Sequence, residues 1–274
     1  MSDVHLGYDR SDAWAFERFL DTLLAQRPDK LVLLGDIFDF WRRSDADLLT
    51  ENQRIVEKLL QLPIVYVNGN HDYSMLKLST RFPEQPGFKV VTSLRLQNQR
   101  FVLIHGYDLE VFTSMETVGL DAYEAFSEAM CHAGQTGGTV ASWIWAFVEL
   151  VKGKLDAAGR DLLAKVANEP AEIRQTLQKI DTFAKSTVRA IPLGLQPDDV
   201  LIFGHTHRPF KDDRTANTGS WVMEPGKKEH TFIEITDNVF DLKTFPVSQE
   251  AANASLKYKP LAAYPRRKRS KKKP

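Results

Sequence analysis

Lys30-Leu31-Val32-Leu33-Leu34-Gly35-Asp36-Ile37-Phe38-Asp39-Phe40-Trp41 is the stretch whose reading decides the fold. Leu31 to Leu34 is a short unbroken apolar run, the pattern of a strand buried on both faces in a covered α/β sheet. Gly35 ends the run and allows a sharp turn close to other backbone. Asp36 follows at once, so an acid stands at the carboxyl end of a strand, where open α/β sheets hold their ligands. A lone buried carboxylate is costly and needs a compensating partner.

The same arrangement recurs along the chain. Ile64-Val65-Tyr66-Val67 runs into Asn68-Gly69-Asn70-His71-Asp72, Arg100 to Ile104 into His105-Gly106, and Val200 to Phe203 into Gly204-His205-Thr206-His207. Asp3-Val4-His5 places a carboxylate and an imidazole on one side of an extended segment. Only two residues precede Asp3, so the expectation is either a preceding apolar strand of four to eight residues or a site built differently at this point. Helices are expected over Ser11 to Gln26, with Ser11 as cap, and over Asp45 to Leu62. A β segment is expected over Phe88 to Leu96. Closing strands are expected at Asn217 to Trp221, Thr231 to Ile235 and Val239 to Phe245. Glu110 to Pro192 reads as a helical insertion capping the site. Within it Val140, Trp143, Ile144, Phe147, Val151 and Leu155 form one stripe, and Trp145 lies off that stripe. Domain 1–250 therefore carries a 110–192 cap, followed by a basic, disordered tail over 251–274.

Composition narrows the function. The 274 residues give a formal net charge of +0, but Pro265 to Pro274 hold seven Lys or Arg and no acid. Without them 29 basic residues face 36 acidic ones, a balance that disfavours bulk nucleic acid. The single cysteine, Cys131, excludes an intrachain disulfide and a thiolate zinc site. It and His132 read as packing residues, and His230 as a surface residue. No apolar run approaches the roughly 20 residues of a membrane span, and the N-terminus lacks the pattern of a secretory signal. A cytoplasmic location follows as the expectation, with peripheral contact at the inner face of a membrane.

Asp3, His5, Asp36, Asn70, His105, His205 and His207 form a sulfur-free N and O set that suits two borderline-hard ions: Mn²⁺ first, Fe²⁺ or Zn²⁺ as alternatives. Such a pair clamps the attacking and leaving oxygens of a phosphoryl displacement, with Asp36 as the bridge and a shared water made acidic. His71 follows a ligand directly and is expected to face substrate as a proton donor, with Asp72 holding its tautomer.

As an ordered set these motifs resemble the calcineurin-like metallophosphoesterase superfamily, over about Asp3 to Phe245. The resemblance implies a four-layer α/β/β/α sandwich. It implies one ion on Asp3, His5, Asp36 and His207, and the other on Asp36, Asn70, His105 and His205. Within the superfamily, Gly35 to Trp41, the helical insertion and Asn217-Thr218-Gly219-Ser220 are similar to the UDP-2,3-diacylglucosamine pyrophosphohydrolase branch. His71 and Tyr107 depart from that branch, whose better-known members carry Arg and an acid at these places. The implied activity is hydrolysis of a phosphodiester or diphosphate on a nucleotide-linked or lipid-linked substrate. The alternatives are a nuclease or nucleotide phosphodiesterase on the same metals, and a non-catalytic binding scaffold. The tail suits attraction to anionic lipid head groups.

Overall fold

The computed structural model describes residues 1–81, 88–96, 100–114, 119–133, 170–223 and 230–247. The Val140–Leu155 stripe, Trp145 and the basic tail lie outside these residues.

Two sheets form the centre. The first is parallel, β1 (Leu31–Leu34), β2 (Ile64–Val67) and β3 (Phe88–Val91), in that order. Residues 1–6 run beside β1: Leu34 N–H donates to the Met1 carbonyl and His5 N–H to the Asp36 carbonyl, and Leu6 bridges Phe38 in parallel. The second sheet contains β4 (Ser93–Arg95), β5 (Phe101–Ile104), β6 (Val200–Phe203), β7 (Phe210–Lys211) and β8 (Thr215–Asn217), in the order β4-β5-β6-β8-β7. The expected β segment over Phe88 to Leu96 is thus two strands in two sheets, and the chain crosses between them near Thr92. A hairpin of β9 (Thr231–Thr236) and β10 (Val239–Thr244) completes the strands.

Three apolar clusters explain the layering. Leu34 and Val67 of the first sheet pack on Phe101, Leu103, Val200 and Ile202 of the second, with Phe240 of the hairpin. The outer face of the first sheet, Leu31, Leu33, Ile64 and Tyr66, is covered by α1 (Ala13–Gln26), α2 (Asp45–Glu51) and α3 (Gln53–Leu59). The outer face of the second, Val102, Ile104, Leu201 and Phe203, is covered by α5 (Tyr107–Ser114) and α7 (Pro170–Lys185) through Leu109, Ile180 and Ala184. The result is the α/β/β/α order. Each fully buried Leu, Val or Phe contributes roughly 1.5–3 kcal/mol, so these continuous apolar runs hold the strand ends where they are.

Further elements are α4 (Met75–Arg81), α6 (Leu120–Ala133) and the short α8 (Ala190–Leu193). The insertion expected over 110–192 is therefore not all cap, because α7 buries its apolar face in the outer layer of the sandwich. The helix expected over Asp45 to Leu62 breaks at Asn52, whose side chain bonds back to the Leu48 carbonyl. The cap of α1 is Asp12, not Ser11: Asp12 accepts from Ala15 N–H at 3.0 Å, and Ser11 donates to the Val4 carbonyl. Asp12 also meets His230 at 2.9 Å, so His230 is a buried partner under Trp221 and not a surface residue.

Candidate metal centre

The ends of residues 1–6, β1, β2, β5 and β6 converge, and all seven expected ligands meet there. The local backbone is bent for the purpose. Asp3, His5, Asp36, His205 and His207 have φ of 54°, 51°, 53°, 66° and 55°. Left-handed backbone costs a non-glycine residue about 1–3 kcal/mol and collects at functional sites. Gly35 has φ 76°, and a Cβ there would lie 2.7 Å from His105 Nδ1, so only glycine lets the second sheet approach this closely. A Cβ on Gly69 would overlap Asp36 Oδ1.

The side chains form two joined clusters. Asp3, His5 and His207 bring their ligand atoms within 4.8 Å of one another, and so do Asp36, His105 and His205. Asp36 Oδ2 lies 3.7 Å from His5 Nε2 and 3.3 Å from His105 Nε2, so one oxygen faces both groups. Its other oxygen accepts from His71 N–H at 2.9 Å, which orients the carboxylate. Asn70 Oδ1 lies 3.2 Å from His105 Nε2. Asp3 Oδ2 accepts from His205 N–H at 2.9 Å, while Asp3 Oδ1 is buried with no hydrogen-bond partner. A buried carboxylate oxygen without a hydrogen bond, 3.3 Å from His207 Nε2 and amid nitrogen and oxygen donors without sulfur, fits divalent cations.

The titrations carry the same message. Burial opposes ionisation of Asp36, but His105, His71 and His5 outweigh it and hold the carboxyl below its usual range. Burial pushes His105 down, yet Asp36 and Asp3 raise it to about 10. His5 is likewise pushed down by burial and raised well above its ordinary value by Asp3, Asp39 and Asp36. Protons thus stand where cations of higher charge would bind.

His71 lies beside the metal set with its ring stacked on Trp41 at 4.1 Å. Its expected partner was Asp72, and the structure corrects this. Asp72 is wholly buried and accepts from Ile37 N–H at 2.8 Å, Gly69 N–H at 2.7 Å and the Tyr66 hydroxyl. It shapes the loops that carry Asp36 and Asn70. Asp39 holds the imidazole instead: its Oδ1 is 3.0 Å from His71 Nδ1, and its Oδ2 is 3.5 Å from His5 Nδ1 and accepts from Arg42 Nε at 2.8 Å. Burial pushes Asp39 up, but His5 and His71 hold it well below the carboxylate range. Sequence reasoning missed this residue, although it stands three positions after Asp36.

The chain resembles several known phosphoesterases. The calcineurin-like phosphoesterase profile matches residues 1–209. A UDP-2,3-diacylglucosamine hydrolase of Shewanella sp. MR-7 is 28% identical over 253 residues, covering 90% of this chain and 96% of its own. The hydrolase of that name from Shewanella baltica OS185 is 30% identical over 236 residues, covering 82% and 89%. Among solved structures, the Escherichia coli phosphoesterase YfcE aligns with TM-score 0.41 at 18% identity, over 89% of this chain and 90% of its own. The chain belongs to the calcineurin-like phosphoesterase family and is a metal-dependent hydrolase of phosphate esters or anhydrides.

Proposed function

We propose that the chain cleaves a phosphodiester or diphosphate bond with two divalent ions, on a substrate joining a nucleotide to a lipid, of the UDP-diacylglucosamine kind. The observation that carries the two-ion reading is Asp36 Oδ2, which faces His5 on one side and His105 on the other. Asp3, His5, Asp36 and His207 would hold one ion, and Asp36, Asn70, His105 and His205 the other. When bound, such a pair, with Mn²⁺ the leading candidate and Fe²⁺ or Zn²⁺ the alternatives, lowers the pKa of water and neutralises phosphoryl oxygens.

The remaining work belongs to side chains. Asp39 accepts the proton on His71 Nδ1, which leaves Nε2 as the atom that meets substrate and gives its proton to the leaving oxygen. Trp41 keeps the ring from rotating. Trp41 and Phe126, both half-buried and 5.7 Å apart, add an apolar shelf beside His71, which suits a base or an acyl chain. The relatives named UDP-2,3-diacylglucosamine hydrolase support the substrate class. The tail at 265–274, with seven basic residues, would bring the enzyme to anionic lipid from the cytoplasmic side. Among the described residues no helix is long and apolar enough to cross a membrane, so contact through the tail would be peripheral.

The test is a hydrolysis panel with Mn²⁺: a nucleotide-diphospho-lipid, an aryl phosphodiester, a phosphomonoester and short single-stranded RNA. The lipid-linked diphosphate should turn over fastest. Preference for RNA or for the small diester would transfer the function to a nuclease or nucleotide phosphodiesterase. Asp36→Asn should lose both bound ions and activity together. Retention of two ions with near-normal turnover would overturn the ligand assignment.

A further inference from the structure

The histidines of the centre differ in which ring nitrogen is already occupied. His105 Nδ1 is 2.6 Å from the Leu34 carbonyl, and His5 Nδ1 is 3.5 Å from Asp39. Both therefore present Nε2 to the clusters. His205 is reversed: its Nε2 lies 2.7 Å from Glu110 Oε2. Glu110 stands in the first turn of α5, five residues after His105, and belongs to none of the strand-end motifs. Tyr123 on α6 lies beside the same carboxylate. The main chain of His205 is fixed separately, by its N–H to Asp3 Oδ2 and by its left-handed φ of 66°.

We propose that Glu110 is a positioning residue that binds the Nε2 proton of His205 and so selects Nδ1 as the metal-ligating atom. The inference rests on the two-ion reading. A carboxylate behind a ligating histidine fixes the tautomer and ring angle and raises the basicity of the coordinating nitrogen; losing it typically costs 10–100-fold in metal affinity. The arrangement also ties α5 to the second ion through one contact, Glu110 to His205. A glutamate at this place would thus act on the metal without touching it.

Long-range ¹H–¹⁵N spectra of the Zn²⁺-loaded full chain read the tautomer directly. His205 should show a metal-bound Nδ1 and a protonated Nε2. Competition of Mn²⁺ against a fluorescent chelator gives the second readout. Glu110→Gln keeps the shape of the side chain and should weaken one ion 10–100-fold while the other stays within about twofold. A parent-like far-UV spectrum and one cooperative unfolding transition of Glu110→Gln without metal separate this effect from misfolding. Metal on Nε2, or unchanged affinity for both ions in Glu110→Gln, overturns the proposal while leaving the two-ion reading intact. Failure of the parent chain to bind two ions overturns both.

Discussion

Metal loading should release about two protons near neutral pH, and the perturbation to apply is pH itself. In the metal-free chain His105 is raised to about 10 and His5 well above its ordinary value, each against the opposing effect of burial. Asp36 and Asp39 stay ionised, since nearby histidines outweigh burial. An ion can take an imidazole nitrogen only after its proton leaves. Between about pH 6.5 and 8.5 each of the two histidines should therefore give up one proton. One proton per pH unit corresponds to about 1.4 kcal/mol, so the pair loads about 2.7 kcal/mol, or 100-fold, more tightly per unit. The stability of the metal-free chain runs the other way. Raised histidines stabilise below about pH 6.5, and for His105 that contribution is lost as pH rises through about 10. Depressed Asp36 and Asp39 stabilise above about pH 4 and lose this only in stronger acid. The gap in melting temperature between loaded and metal-free chain should accordingly widen from pH 6.5 to 8.5. Titration calorimetry with Mn²⁺ in buffers of different ionisation enthalpy counts the protons. Release of fewer than about half a proton, or affinity independent of pH, would refute the charge assignment.

Three further outcomes are expected. His71→Ala should keep both ions but slow turnover roughly 10²–10⁴-fold, and Asp39→Asn should cost less and shift the pH profile; metal analysis beside kinetics separates the two roles. Asp72→Ala strands the Ile37 and Gly69 amides, at about 1–3 kcal/mol each, so denaturant unfolding should show a loss of stability. Deleting 265–274 should weaken binding to anionic vesicles at low salt and leave hydrolysis of a small diester unchanged; equal vesicle binding by both chains would remove the tail from the reading.

The strands were legible because each buried run is continuous and ends abruptly in polar residues. Leu31–Leu34, Ile64–Val67, Phe101–Ile104 and Val200–Phe203 are all strands of the expected kind. Their shared ends bring the seven expected side chains to one place. Long-range assignment was not legible. Phe88 to Leu96 has one continuous β pattern, yet the chain leaves one sheet and joins the other within it, and nothing local marks the switch. The role of α7 was hidden for the same reason, since an amphipathic face packs equally well on a cap or on a sheet.

What stayed unreadable at the site is the layer behind the ligands. A ligand must be a particular atom type at a strand end, so composition and position together reveal it. The group behind a ligand need only be an acceptor within about 3 Å, and any element can supply one. Behind His71, which the proposed reaction turns toward substrate, the acceptor is Asp39, three residues beyond Asp36 and visible in the quoted stretch, but only the turn after Gly35 brings it round. Asp72 was the nearer choice in sequence, and its carboxylate is consumed by two main-chain amides and a tyrosine. For His105 the acceptor is the Leu34 carbonyl, a main-chain atom that every residue carries and no sequence can display. For His205 it is Glu110, on a helix that follows a different strand. The tautomer of each histidine, and so the nitrogen it would offer a metal or a substrate, is therefore a property of the packed fold.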